Sequence, residues 1–119
     1  TAIDLKTGEH AWMVPNGDTP SYVAERLQID PSLIPTTGVQ SRASLMVTRT
    51  LLFAGEGMSG GPNLWILDKA TGNRIARLDL PGTTVGKPMT FMHDGKQYVV
   101  VSVSPQGGSA ELVALALPN

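Results

Sequence analysis

Short apolar stretches separated by turn-forming residues run through most of this chain. Leu45-Met46-Val47, Leu51-Leu52-Phe53-Ala54, Leu64-Trp65-Ile66-Leu67, Gln97-Tyr98-Val99-Val100-Val101-Ser102-Val103 and Glu111-Leu112-Val113-Ala114-Leu115-Ala116-Leu117 are each bounded by Gly, Pro, Ser or Asn. Stretches of that length and punctuation predict β-strands. Along 97–103, Val99, Val101 and Val103 fall on one face and Tyr98 and Val100 on the other, because side chains alternate along a strand. Apolar residues on both faces predict a sheet covered on both sides. Asp94-Gly95, between Phe91-Met92 and Gln97-Tyr98, predicts a tight hairpin, since both residues tolerate positive φ. The stretch from Asp18 to Thr37 breaks the strand pattern. Ser21 to Ile29 fits two helical turns with Asp18 or Thr19 as cap and Pro20 in the first turn, but Pro31 and Pro35 fit an extended loop as well. Either way it reads as a surface insertion.

A repeat underlies the strands. Ala2-Ile3-Asp4-Leu5-Lys6-Thr7-Gly8 is followed by Trp12, and Ile66-Leu67-Asp68-Lys69-Ala70-Thr71-Gly72 repeats the Asp-x-x-Thr-Gly core with Ala76 in the tryptophan slot. Such a core predicts a turn in which the aspartate accepts backbone N–H groups. The stretches 45–67 and 88–117 also share an order of strand, turn, strand, glycine-rich exit and third strand. A repeat of roughly 45 residues lies in the range of a four-stranded propeller blade.

Composition narrows the partners. With 119 residues, the chain would bury only about two-thirds of its unfolded surface. A net charge of −1 gives no basic footprint, so neither nucleic acid nor an anionic membrane surface is expected as a partner. Cysteine is absent, which removes disulfides and thiolate metal sites without fixing a compartment. No apolar run is long enough to span a membrane. The chain opens one residue ahead of the first motif, as the middle of a longer polypeptide would.

These residues resemble the C-terminal end of a pyrroloquinoline-quinone (PQQ) dependent dehydrogenase of the membrane glucose dehydrogenase type. The resemblance is carried by the Ala2–Gly8 string with Trp12, by Leu52-Phe53-Ala54-Gly55 followed by Asp68–Gly72, and by Pro88-Met89-Thr90-Phe91 with Asp94-Gly95-Lys96-Gln97-Tyr98-Val99-Val100-Val101. It extends to Val113-Ala114-Leu115-Ala116-Leu117-Pro118 and is weakest over 18–40. It implies an all-β fold of antiparallel four-stranded blades, of which 1–119 would hold about two from an eight-bladed β-propeller. Residues 2–14 would be the outer strands of one blade, 43–80 a full blade, and 86–117 three strands of the last. The remaining outer strand would come from the parent's N-terminus, closing the ring, and tryptophans such as Trp12 would dock adjacent blades. The parent implied is a periplasmic enzyme, free or held at the inner membrane, that oxidises a sugar or alcohol using PQQ and Ca²⁺ and passes electrons to a quinone or cytochrome.

The family's catalytic aspartate and calcium ligands have no match in this chain, so no catalytic or metal residue is assigned and the fragment alone is expected to be inactive. One place is a candidate for cofactor contact. Ser104, Gln106, Gly107 and Gly108 follow the strand at 97–103, where relatives carry a glycine-rich turn near the cofactor mouth, in some cases with a histidine. Gln106 stands near that histidine's place and forms hydrogen bonds but is no acid or base near neutral pH. His10 and His93 have no ligand-spaced partner and read as solvated. Gly55-Glu56-Gly57 and Ser59-Gly60-Gly61 lack the Lys-Ser/Thr of a phosphate loop and read as a long connection between strands. Trp65 reads as core. The alternatives are a non-enzymatic propeller serving as a protein-binding scaffold, as in outer-membrane assembly lipoproteins, and a self-standing small β-domain.

Overall fold

In the computed structural model, which describes residues 1–118, the chain forms three antiparallel sheets in sequence order. The first pairs β1 (Ala2–Ile3) with β2 (His10–Trp12). The second is a four-stranded meander of β3 (Leu45–Val47), β4 (Leu51–Gly55), β5 (Asn63–Asp68) and β6 (Arg74–Asp79). In the third, β9 (Lys96–Ser104) pairs with β10 (Glu111–Ala116) along one edge. Along its other edge run β7 (Thr83–Thr84) and β8 (Met89–His93), collinear pieces of one interrupted strand. Pairing in this sheet thus begins at Thr83, ahead of residue 86. A sequential four-stranded meander such as the second sheet, with little helix around it, is the form of a β-propeller blade.

Two apolar layers hold the sheets together. Phe53, Leu64 and Leu80 meet Val99, Val101 and Val103 between the second and third sheets, with Ile66, Leu78, Val113 and Leu115 packed around them. Leu64, Val101 and Val103 are completely buried, a gain of about 1.5–3 kcal/mol for each such side chain. The opposite face of the second sheet presents Ala54, Trp65 and Leu67 to Val14 and the first sheet. The alternation is strict: Ala54 pairs with Trp65 and Leu52 with Leu67, whereas Phe53 pairs with Ile66.

Two expectations need correction. The strand at 97–103 has only one covered face among the described residues. Val99, Val101 and Val103 are buried, whereas Met89, Phe91 and Leu112 on the other face remain exposed and Phe91 stacks on Tyr98 with ring centroids 5.3 Å apart. The helix option at 18–37 is the one realised, as α1 (Ser21–Leu27), but neither Asp18 nor Thr19 caps it. Pro20 occupies the cap position, and Thr19 instead receives the N–H of Thr37 at 2.9 Å. That bond closes the neck of the insertion, and it takes precedence because α1 buries no residue that would fix its start. The Asp94-Gly95 hairpin forms as expected, with φ of 47° and 74°.

Candidate functional site

The meander topology puts the connections into two groups. The two Asp-x-x-Thr-Gly turns and the Asp94-Gly95 turn lie at one end of their sheets. The segments entering β3, linking β4 to β5, linking β6 to β7 and linking β9 to β10 lie at the other end. Direct contacts join members of this second group. Leu80 N donates to Pro62 O at 2.7 Å, Asn16 Nδ2 to Gly55 O at 3.0 Å, and Val39 N to Asn16 O at 2.8 Å. Gly82 lies against the backbone of Ser104 and Pro105 so closely that any Cβ would collide with it.

At the turn end, both repeats form as their spacing predicts. Gly8 N donates to Asp4 O and Gly72 N to Asp68 O, with φ of 75° at both glycines. The second copy is the better bonded. Asp68 Oδ1 accepts from Ala70 N, Thr71 N and Thr71 Oγ1 at 2.9–3.0 Å, whereas Asp4 Oδ1 accepts from Lys6 N at 2.8 Å. The N–H and O–H donors from Thr71 hold the exposed Asp68 carboxyl below its ordinary range. Trp12 reaches across from the first sheet. Its Nε1 donates to Lys69 O at 3.0 Å, and its ring covers Gly72, where a Cβ would come within 2.6 Å of the indole. Asp4 and Asp68 are therefore turn residues, and among the described residues no group of His, Cys, Asp or Glu is arranged to hold a metal.

At the opposite end, the structure places Ser104 half-buried at the end of β9 and Gln106, Gly107 and Gly108 in an exposed tight turn closed by Gly108 N to Pro105 O at 3.2 Å. These four residues are together in space as well as in sequence. His10 and His93 lie elsewhere and are exposed, with His93 Nε2 3.4 Å from Asp94 Oδ2.

At the same end of the sheets lies a group that sequence reasoning missed. Glu56 is buried at 3% exposure, and its carboxylate accepts Trp65 Nε1 at 2.7 Å, Asn63 Nδ2 at 2.9 Å and Gly61 N at 2.7 Å. Trp65 is clamped on its face by Arg74, whose guanidinium carbon lies 4.1 Å from the ring centroid and whose Nη2 donates to Pro15 O and Gly17 O. The available signal was an acidic residue between glycines, which reads as loop unless the partners five to nine residues downstream are known.

With this geometry in view, similarity to known proteins becomes decisive. A family profile described as "PQQ: Glucose/ethanol/alcohol dehydrogenase, beta-propeller domain" matches residues 1–99. The chain belongs to this PQQ-dependent dehydrogenase β-propeller family. A relative in Xanthomonas campestris pv. juglandis, "Probable quinate dehydrogenase (quinone)", is 35% identical over 132 aligned residues that take in all of this chain. The chain spans 15% of that relative's length. No solved structure gave a significant match.

Membership in the quinoprotein family raises the question of whether these residues fit PQQ. PQQ is a flat, polycarboxylated quinone, which calls for cationic or N–H donors and an apolar or aromatic surface over its ring. The Ser104–Gly108 turn supplies a hydroxyl, an amide and backbone N–H groups, but its residues from Gln106 onward face solvent and no aromatic ring contact is found there among the described residues. The turn offers polar donors without a surface to cover the ring, so it does not by itself hold the cofactor. Nor do the described residues offer a carboxylate cluster for Ca²⁺. No helix among them is long and apolar enough to cross a membrane.

Proposed function

We propose that this chain is the closing part of a PQQ-dependent dehydrogenase that oxidises a hydroxyl-bearing carbon of a sugar or other polyol and passes the electrons to a quinone. The observation that carries this reading is the family match over 1–99, supported by a quinate dehydrogenase relative aligned along the whole chain. That relative adds a polyhydroxylated ring acid to the sugar and alcohol substrates. Ca²⁺ in the cofactor site and a periplasmic location belong to the same reading. In it, 2–14 are the outer strands of one blade, 43–80 a complete blade, and the strands up to 117 most of the last.

The chain's own contribution is architectural. It supplies blades, the Trp12 contact between them, and the Ser104–Gly108 turn as one edge of the cofactor mouth. The catalytic base and the calcium ligands would lie in other blades, so the chain alone would not turn over. Dye reduction tests this with glucose, ethanol and quinate as substrates in the presence of PQQ and Ca²⁺. The full-length polypeptide should reduce dye with at least one of them, and the isolated 1–119 chain with none. Dye reduction by the isolated chain would contradict the division of roles. Silence of the full-length protein on every substrate, with PQQ bound, would favour the scaffold alternative.

A further inference from the structure

Glu56 is a carboxylate drawn into the interior, and its partners define what it holds. Removing a charged group from water is costly unless donors replace the lost solvent, and N–H bonds to a carboxylate are among the stronger ones. The donors here come from Gly61 inside the β4–β5 loop and from Asn63 and Trp65 at the start of β5. The side chain thus ties the beginning of the loop to its end. Gly60 packs so closely on the Glu56 Cβ that no larger residue fits there.

The neighbouring residue carries the connection onward. Gly57 N donates to Thr84 Oγ1 at 3.0 Å, and Thr84 is itself buried at 3% exposure. The Thr84 side chain fills the place that a Cβ on Gly55 would need. Thr84 pairs with Val103, and Gly82 abuts Ser104 and Pro105. An unbroken set of contacts therefore runs from the Glu56 carboxylate to the base of the Ser104–Gly108 turn. On the other side a Cβ on Gly17 would lie 3.1 Å from Glu56 Cδ, so the neck of the insertion leaves little room for a side chain beside the same group.

We infer that Glu56 is a positioning residue whose carboxylate sets the β4–β5 loop and, through Gly57 and Thr84, the placement of the Ser104–Gly108 turn. The two loops at this end move as one unit. The consequence for the cofactor rests on the quinoprotein reading, whereas the coupling between the loops does not. A carboxylate that only satisfied the Trp65 indole would leave the second loop independent.

Hydrogen-exchange mass spectrometry on the full-length polypeptide separates these cases, with PQQ and Ca²⁺ titrated into the same samples. Glu56→Gln keeps the size and the Oε1 acceptor but sets an amide N–H against the N–H of Gly61. It should speed exchange about tenfold in peptides covering both 56–62 and 104–110 and weaken PQQ binding by about as much, the loss of roughly one charged hydrogen bond. Thr84→Val removes the link without touching the carboxylate, and should speed exchange at Gly57 and in 104–110 while Gly61 stays protected. It also serves as the test if the Glu56 variant fails to fold. Acceleration confined to 56–62 in Glu56→Gln, or unchanged exchange in 104–110 in Thr84→Val, overturns the proposal. Wild-type protein that binds no PQQ overturns the quinoprotein reading instead, and the exchange pattern then decides the role of Glu56.

Discussion

Asp68 shows how much one exposed side chain can do without burial. Its Oδ1 gathers the N–H groups of Ala70 and Thr71 and the Thr71 hydroxyl, while Gly72 behind it takes a positive φ beneath the Trp12 ring. Bonds from Thr71 favour the ionised carboxyl and lower its pKa. Because the folded value lies below the unfolded one of about 3.9, the stabilisation is present above that pH and is lost as pH falls through the folded value. Carboxyl NMR titration should place the Asp68 midpoint below the ordinary aspartate value, and Asp68→Ala should flatten that part of the acid limb of stability. A midpoint at or above the ordinary value would sink this account of the turn. The Asp-x-x-Thr-Gly spacing was enough to foresee the turn, since every partner lies within four residues. Glu56 was not foreseeable in the same way, because its meaning depends on Trp65 and Asn63 being folded back upon it.

Among the elements, those fixed by local signals are legible in the sequence and those fixed by long-range contacts are not. The strands at 45–47, 51–55, 63–68, 96–104 and 111–116 emerge where apolar runs meet turn residues, and Asp94-Gly95 forms its hairpin. The short β7 has no signal in the sequence, because Thr83-Thr84 has no apolar run and is a strand only by pairing with Val103 and Ser104. The cap of α1 was misplaced because Thr19 is engaged by Thr37, 18 residues away. That neck makes the insertion separable. The Asn16–Val39 bond and the Thr19–Thr37 bond close its base, and α1 contributes no buried residue. Replacing 20–36 in the parent polypeptide with a short glycine-serine bridge should change stability by no more than about 1 kcal/mol, since loop-closure entropy varies slowly with length. Thermal unfolding measures this, and a large drop in melting temperature would show that α1 holds the blades.

Taken whole, the molecule is a set of blades with open flanks. The third sheet bares Met89, Phe91 and Leu112, and a cavity of about 190 Å³ lined by Trp12, Val14, Leu45, Leu52, Ala54 and Leu67 opens between the first and second sheets. Exposed apolar sheet faces of this kind call for further protein, which accords with a chain spanning 15% of its quinate dehydrogenase relative. The architecture was readable in the sequence because repeats and turn chemistry are local. The cofactor edge proposed at Ser104–Gly108 rests on a resemblance alone, because no group that would complete a quinone site stands beside that turn among the described residues. Equilibrium titration of PQQ, with Ca²⁺ present, into the full-length polypeptide and into a version lacking residues 1–119 tests whether these blades close a quinone site. Saturable binding by the full-length protein that disappears on deletion is the predicted result; no saturable binding, or binding untouched by the deletion, would contradict it.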